Sequence, residues 1–257
     1  MALDNKVCIV TGGGSGIGEA TALRMAREGA KLVLVGRTKS KVEAVAEHIV
    51  ELGGTSSAWA LDVADHDAVS EMVSGVKDDF GRIDILVNAA GHSSRNRSLL
   101  TVTPQEIRAV LDSNLVGTIY CTQAVIPTML DAGGGTIINV SSLAGVTPGL
   151  LGGMAYSAAK AAVNNFTDFL NAEFKNTGIR ASVVIPGEVD TPILDTRPVV
   201  PSAEARATMA TAEDVAEAIT MIAMLSAKTA VPELIIRPTN MRDHSNEWES
   251  RSWEAAQ

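Results

Sequence analysis

Tyr156-Ser157-Ala158-Ala159-Lys160 places a phenol and an ammonium four residues apart, on one face of a helix. A free tyrosine ionises near pH 10 and is a poor base at neutrality, but an adjacent positive charge favours the phenolate. The expectation is that Lys160 lowers the Tyr156 pKa until the pair exchanges protons near neutral pH. Taken alone, such a pair fits a core residue beside a surface one equally well, so its neighbours decide. Upstream, Asn139-Val140-Ser141-Ser142 ends a strand-like run. A serine hydroxyl there either holds a substrate oxygen or merely terminates the strand.

A second chemical feature stands near the start of the chain. Thr11-Gly12-Gly13-Gly14-Ser15-Gly16-Ile17-Gly18 follows an apolar run and precedes a helical stretch from Glu19 to Arg27. Glycines let the backbone turn sharply and approach a pyrophosphate, and the helix N-terminus supplies amide donors. Gly12, Gly14, Ser15, Gly16, Ile17 and Gly18 are therefore the expected dinucleotide site. The next apolar run ends at Val35-Gly36-Arg37, where a ribose 2′ position would lie. An acid there would accept from a free 2′-hydroxyl, whereas a guanidinium pairs with a 2′-phosphate. No acid is present, and Arg37 with Lys39 or Lys41 is cationic, which favours NADP and leaves NAD possible.

Positioning these groups takes a regular frame. Apolar runs recur at Lys6–Val10, Lys31–Val35, Ile83–Val87, Thr136–Val140, Arg180–Ile185 and Glu233–Ile236, with a weaker run at Ser57–Leu61. Near-continuous apolar runs fit strands covered on both faces. Between them lie helical segments, several opening with a capping box: Ser40 with Glu43, Thr103 with Glu106 followed by Pro104 at the first helical position, and Thr211 with Asp214. In the helix that Tyr156 opens, Val163, Phe166, Phe169 and Leu170 form a stripe expected to face the sheet. Strand and helix alternate throughout, which predicts an α/β Rossmann-type doubly wound parallel sheet of about seven strands with helices on both faces.

Composition sets the outer bounds. A chain of 257 residues, 46% hydrophobic and without a dividing linker, reads as a single NAD(P)-binding domain over 1–257. Charged residues at 20% and a mean hydropathy of +0.16 exclude a disordered chain. The excess of 30 Asp+Glu over 21 Lys+Arg, a net charge of −9, argues against nucleic acid or an anionic membrane as partner. No apolar stretch is long enough to span a bilayer, and strand-like sequence by Lys6 leaves no room for a signal peptide, so a cytoplasmic protein is expected. Cys8 and Cys121 lack a CxxC partner and read as buried thiols, and the four histidines show no ligand spacing, so no metal site is expected. The tail from about 242 to 257, with Trp248 and Trp253, is expected to dock on its own or a neighbouring subunit.

From about Lys6 to Arg237 the sequence resembles the short-chain dehydrogenase/reductase family. The motifs stand in the family order: the loop Thr11 to Gly18, Asp62-Val63, Asn88-Ala89-Ala90-Gly91, Asn114, Ser142, Tyr156, Lys160, and Pro186-Gly187 with Thr191. The resemblance implies that Asp62 and Val63 contact the adenine. It implies that Asn88, Ala89, Ala90 and Gly91 support the central strand, and that Pro186, Gly187, Val189 and Thr191 bind on the nicotinamide side. Tyr156 would be the general acid/base, Ser142 would orient the substrate oxygen, Lys160 would hold the nicotinamide ribose, and Asn114 would anchor a water relay. A homodimer or homotetramer, built on long helices at Pro104–Leu130 and Met154–Phe174, is implied as well.

Three features depart from the family pattern. Ser142 and Tyr156 are 14 residues apart, one more than in many members, which suggests an insertion within Gly145–Gly153. The end of the last strand lacks the Gly-Gly of many 3-oxoacyl carrier-protein reductases. The substrate loop, about 188–210, is rich in Pro, Thr and Ala from Ile193 onward and matches nothing recognisable. Arg95 and Arg97, beyond the Asn88–Gly91 turn at the expected mouth of the pocket, read as a solvated or subunit-contacting surface, with the phosphate of a thioester carrier as the alternative contact. The function expected is hydride transfer between NADP(H) and a small-molecule carbonyl or secondary alcohol. The alternatives are a 2-enoyl thioester reductase on the same fold and a non-catalytic dinucleotide-binding sensor or scaffold, which would need no proton relay.

Overall fold

Seven apolar runs become strands of one sheet: β1 (Val7–Thr11), β2 (Lys31–Gly36), β3 (Thr55–Ala60), β4 (Ile85–Asn88), β5 (Gly135–Val140), β6 (Ile179–Pro186) and β7 (Glu233–Ile236). The computed structural model describes residues 1–243; Trp248, Trp253 and the rest of the tail beyond Asp243 lie outside the described residues. All strands run parallel, in the order β3-β2-β1-β4-β5-β6-β7. The order reverses between β1 and β4, which opens a crevice at the carboxyl ends of these strands. The weak run near Ser57 is the edge strand β3, half-exposed as its mixed composition demands.

Helices cover both faces. On one side α1 (Gly16–Arg27), α2 (Lys39–Glu51) and α8 (Ala212–Met224) bury Met25, Ile49 and Ile219 against the sheet. On the other, α3 (His66–Phe80), α5 (Gly117–Asp131) and α6 (Met154–Glu173) bury Met72, Met129 and Leu170. The capping boxes at Thr103 of α4 (Pro104–Leu111) and Thr211 of α8 are both formed. The one expected at Ser40 is not: Thr38 stands at the N-cap position of α2 without a side-chain cap bond, Ser40 lies inside the first turn, and Glu43 instead pairs with Lys39 at 3.6 Å. In α6, Val163 and Leu170 are buried and Phe166 packs on the core, but Phe169 is 55% exposed. At 100° per residue the stripe is one position too wide for the sheet to cover. The long helix expected from Pro104 is interrupted by a π-helical turn at Asp112–Val116 before α5 resumes. Cys8 and Cys121 are free and buried.

A buried polar chain crosses the sheet toward α6. Asn88 and Asn139, paired in register on β4 and β5, are joined by an Asn88 Nδ2 bond to Asn139 Oδ1 at 2.9 Å. Asn139 Nδ2 donates in turn to Thr167 Oγ1 on α6 at 2.9 Å, and Thr167 donates to the Val163 carbonyl at 2.8 Å. Removing the middle member strands a buried donor on one side and a buried acceptor on the other, each expensive to leave unpaired. Asn139→Ala is expected to destabilise the fold by on the order of 3 kcal/mol in urea unfolding. A loss below about 1 kcal/mol would show that the chain does not fix α6 on the sheet.

Candidate active site

α6 is fastened to the end of β5 through Lys160. Lys160 Nζ, almost fully buried, donates to the Val140 carbonyl at 2.9 Å, while Ser141 Oγ donates to the Lys160 carbonyl at 3.1 Å. Ser141 is thereby used up in structure, and Ser142, the next residue, lines the cleft beside Tyr156. A short 3-10 turn, Leu143–Gly145, follows Ser142, which accepts from Ala144 N at 3.2 Å. Gly145 lies directly on the α6 backbone, so close that a Cβ would stand 2.6 Å from the Lys160 carbonyl carbon. The absence of that side chain sets the separation of Ser142 from α6. The residues of Gly145–Gly153, where the extra position falls, supply Thr147, Gly149, Leu150, Leu151 and Gly152 to the cleft wall.

Ser142, Tyr156 and Lys160 share a cleft of about 460 Å³ with Asn114 and most of the glycine loop. Lys160 Nζ sits 5.6 Å from the Tyr156 ring centre. Burial pushes the Lys160 amine down to about 8. Burial also holds the Tyr156 phenol above its ordinary value; a hydrogen bond with Ser142 and the charges of Arg97 and Arg197 pull it partly back. The expected lowering by Lys160 is therefore not what the structure has: desolvation dominates, and the opposing positive charges come from two arginines.

Asn114 lies in the π-helical turn, fully buried, with Nδ2 donating to the His92 carbonyl at 2.8 Å and the Val110 carbonyl at 2.9 Å. Its Oδ1 has no partner within the described protein and faces Gly91, on the side where Lys160 Nζ lies 3.6 Å from the position of a Gly91 Cβ.

The other sequence-identified residues gather along the same carboxyl edge. Thr11 Oγ1 accepts from Ala89 N and Ala90 N, both at 3.1 Å, and so ties β1 to the Asn88–Gly91 turn. Gly12, at φ +68°, is pressed against Ala89, where a Cβ would come within 2.8 Å of the carbonyl oxygen. Gly18 is held against the Gly12 carbonyl with no room for a side chain, bringing α1 close under the loop. Past β6, Pro186, Gly187, Val189 and Thr191 line the cleft, and a Cβ on Gly16 would touch Thr191 at 3.3 Å. A second compartment of about 240 Å³ is lined by Gly14, Arg37, Lys41, Asp62, Val63 and His92, among others. Ile17 faces the first cleft.

A third group was only partly legible in the sequence. Arg97 is not on an outer surface but half-buried in the cleft wall, while Arg95 is exposed. Arg197 and Arg242 also line the cleft and share Glu188, with bonds of 2.8 and 2.7 Å. Only the position of Arg97 soon after the Asn88–Gly91 turn pointed to the cleft.

Comparison with known proteins agrees with this architecture. The family model for short chain dehydrogenase matches residues 6–198. An uncharacterized oxidoreductase of Staphylococcus aureus (strain MW2) is 35% identical over 238 residues, covering 92% of this chain and 98% of that protein. Among solved structures, a metagenomic short-chain oxidoreductase in complex with NADP superposes with a TM-score of 0.81 at 32% identity, covering 94% of this chain and all of the other. The closed form of a serine dehydrogenase complexed with NADP+ gives 0.83 at 28% identity, covering 93% and 99%.

The tight seat of Gly145 gives a direct check on the geometry. Gly145→Ala is expected to lower stability by about 1 to 3 kcal/mol in urea unfolding, since α6 must give way. Gly149→Ala, where a Cβ meets nothing within 4 Å, is expected to leave stability within about 0.5 kcal/mol. Equal effects would show that the turn does not bear on α6.

Proposed function

We propose that this chain, which belongs to the short-chain dehydrogenase family, is an oxidoreductase that interconverts a carbonyl and a secondary alcohol with NADP(H). The observation that carries the reading is the meeting of Ser142, Tyr156 and Lys160 at the end of β5, in the cleft that also opens onto the glycine loop. A dinucleotide suits the residues present. The loop is a cradle from which side chains at Gly12 and Gly18 are excluded by backbone, and the amides that open α1 point to its mouth. Gly12, Gly14, Ser15, Gly16, Ile17 and Gly18 would hold the pyrophosphate. Asp62 and Val63 would line the adenine, and the Asn88–Gly91 turn with Pro186, Gly187, Val189 and Thr191 would bound the nicotinamide end.

NADP is favoured over NAD because β2 ends in Gly36-Arg37 without a carboxylate, and Arg37 and Lys41 line the compartment that also contains Asp62. The NADP complexes of two structural relatives support the same choice.

When bound, NADPH supplies the hydride. The protein's own part is to place the carbonyl oxygen and deliver a proton to it. Ser142 would accept or donate a hydrogen bond at that oxygen, and Tyr156 Oη would give up its proton as the oxygen gains charge. A phenol held above its ordinary value keeps its proton at neutral pH, so it is ready as an acid in reduction; in oxidation it must first lose that proton. Lys160, with a pKa near 8, is mostly protonated at neutrality and can resupply Tyr156. Asn114 Oδ1, which has no partner within the described protein and faces the same side as Lys160 Nζ, is the group that would anchor a water in that path.

With NADPH consumption followed at ~340 nm, Tyr156→Phe is expected to lose about 100-fold or more of kcat while NADPH affinity is kept. Retained turnover would overturn the assignment of Tyr156. Alcohol oxidation by the wild type is expected to rise with pH from about 7 to 10, and reduction to fall above about pH 8 as Lys160 gives up its proton. Parallel profiles in the two directions would contradict this proton path. Arg37→Gln is expected to weaken NADPH about 10-fold by fluorescence titration and to leave NADH nearly unchanged. An equal effect on both cofactors would place the 2′-phosphate elsewhere.

A further inference from the structure

The whole chain carries a net charge of −9, yet the charged side chains lining the main cleft, among the described residues, are Arg97, Lys160, Glu188, Arg197 and Arg242. The single carboxylate is already shared: Glu188 accepts from Arg197 Nη1 at 2.8 Å and from Arg242 Nε at 2.7 Å. Arg97 has no such partner among the described residues. Its side-chain bond runs from Nε to the backbone carbonyl of Ser94 at 3.2 Å.

Arg97 is built into its place. Its carbonyl accepts from Met154 N, the first residue of α6, at 3.3 Å. Its Cβ and Cγ occupy the space that a side chain on Gly153 would need, at 2.8 and 2.9 Å. The loop that carries it is clamped by Glu106, which accepts from Ser94 Oγ at 2.8 Å and Asn96 Nδ2 at 3.0 Å as well as closing the cap of α4. A carboxylate, on α4, thus stands beside this loop but is spent on neutral donors. Burial and the neighbouring charge of Arg197 push the Arg97 guanidinium down to about 10, so it stays charged at neutral pH; the charges of both arginines act on Tyr156. Glu188 already answers Arg197, so the charge beside this phenol that lacks a carboxylate among the described residues is that of Arg97, and an anion bound there would offset it.

A cofactor phosphate is not the obvious partner. The compartment lined by Arg37 and Lys41, where a 2′-phosphate would sit, does not include Arg97. We infer that Arg97, backed by Arg197, forms a carboxylate-binding subsite beside Tyr156 and Ser142, and that the substrate is an oxo acid reduced to, or formed from, a hydroxy acid. A guanidinium fork matches the two oxygens of a carboxylate and adds direction to the charge. The substrate class rests on the reductase reading above; the subsite itself does not.

Calorimetric titration of malonate, with and without saturating NADP+, tests the subsite without turnover. Wild type is expected to bind malonate and not dimethyl malonate, Arg97→Met to bind malonate about 10-fold more weakly or less, and Arg97→Lys to fall between. Thermal melts check that the variants fold. In the kinetic arm, the ratio of kcat/KM for 3-oxobutanoate to that for methyl 3-oxobutanoate is expected to drop about 10-fold in Arg97→Met. Absence of malonate binding to wild type, equal binding by Arg97→Met, or tighter binding of inorganic phosphate than of malonate would overturn the inference. Malonate binding lost in Arg97→Met would sustain the subsite even if no compound turned over, whereas turnover that survives Tyr156→Phe would count against the reductase reading alone.

Discussion

The structure hangs on one buried amine. Lys160 is a charged side chain taken out of water on a helix that must lie across the end of a central strand, and it is tolerable there because both its ends are satisfied by consecutive residues of the chain leaving β5. The Val140 carbonyl takes the amine, and the Ser141 hydroxyl takes the Lys160 carbonyl. A single residue so held fixes the height and the rotation of α6 on the sheet. Tyr156, one turn earlier, inherits its position from this anchor. Ser142 inherits its position from the other side, because Ser141 is bound and Gly145 presses on the α6 backbone. The polar chain Asn88–Asn139–Thr167 repeats the same logic deeper in the sheet, using neutral groups.

The sheet edge also concentrates charge against the trend of the molecule. An acidic chain keeps its surplus negative charge on outer faces, while the crevice at the strand reversal collects arginine and lysine at both of its ends. Helix N-termini facing the same edge act in the same sense, since their amides carry partial positive charge. The result is a site that would draw in a polyanionic dinucleotide from one end and an anionic small molecule from the other. The tyrosine between them lies in low dielectric, where nearby charges act strongly on its proton.

Most of the frame was legible because it is written in local periodicity. The Val- and Ile-rich runs at Val7–Thr11 and Ile179–Pro186 could be little else than covered strands, and the glycine loop between β1 and α1 carried its own meaning. Both serines line the cleft, and what spacing could not show is that the Ser141 hydroxyl is bonded to the Lys160 carbonyl of α6. Errors arose where neighbours outside the local window decide. Ser40 had the right partner at Glu43, but the helix begins at Lys39, so Ser40 falls inside its first turn and cannot cap it. Phe169 fits the apolar stripe of α6 yet lies beyond the width that the sheet covers. The Tyr156 pKa was misjudged because spacing shows the nearby lysine and not the depth of burial, which outweighs it. Arg97 and the Glu188–Arg197 pair come from two loops far apart in sequence that only the folded topology brings to one wall.

That wall has its own physical character. Glu188 follows Gly187, whose amide is bonded to the Ile236 carbonyl at 2.7 Å, so the carboxylate is fixed to the end of the sheet. From there it gathers Arg197, in the chain beyond Thr191, and Arg242, in the chain beyond β7. The cover over the cleft is further joined by Arg206 of the short helix α7 (Ala203–Arg206), which pairs with Asp190 and Asp195. Such a cover combines the buried apolar side chains of Val189, Leu194 and Met209 with directed ion pairs, which fix register and orientation even where their net contribution to stability is small. Its shape is therefore set by which charges meet, and a substrate that carries a charge of its own becomes part of the same balance.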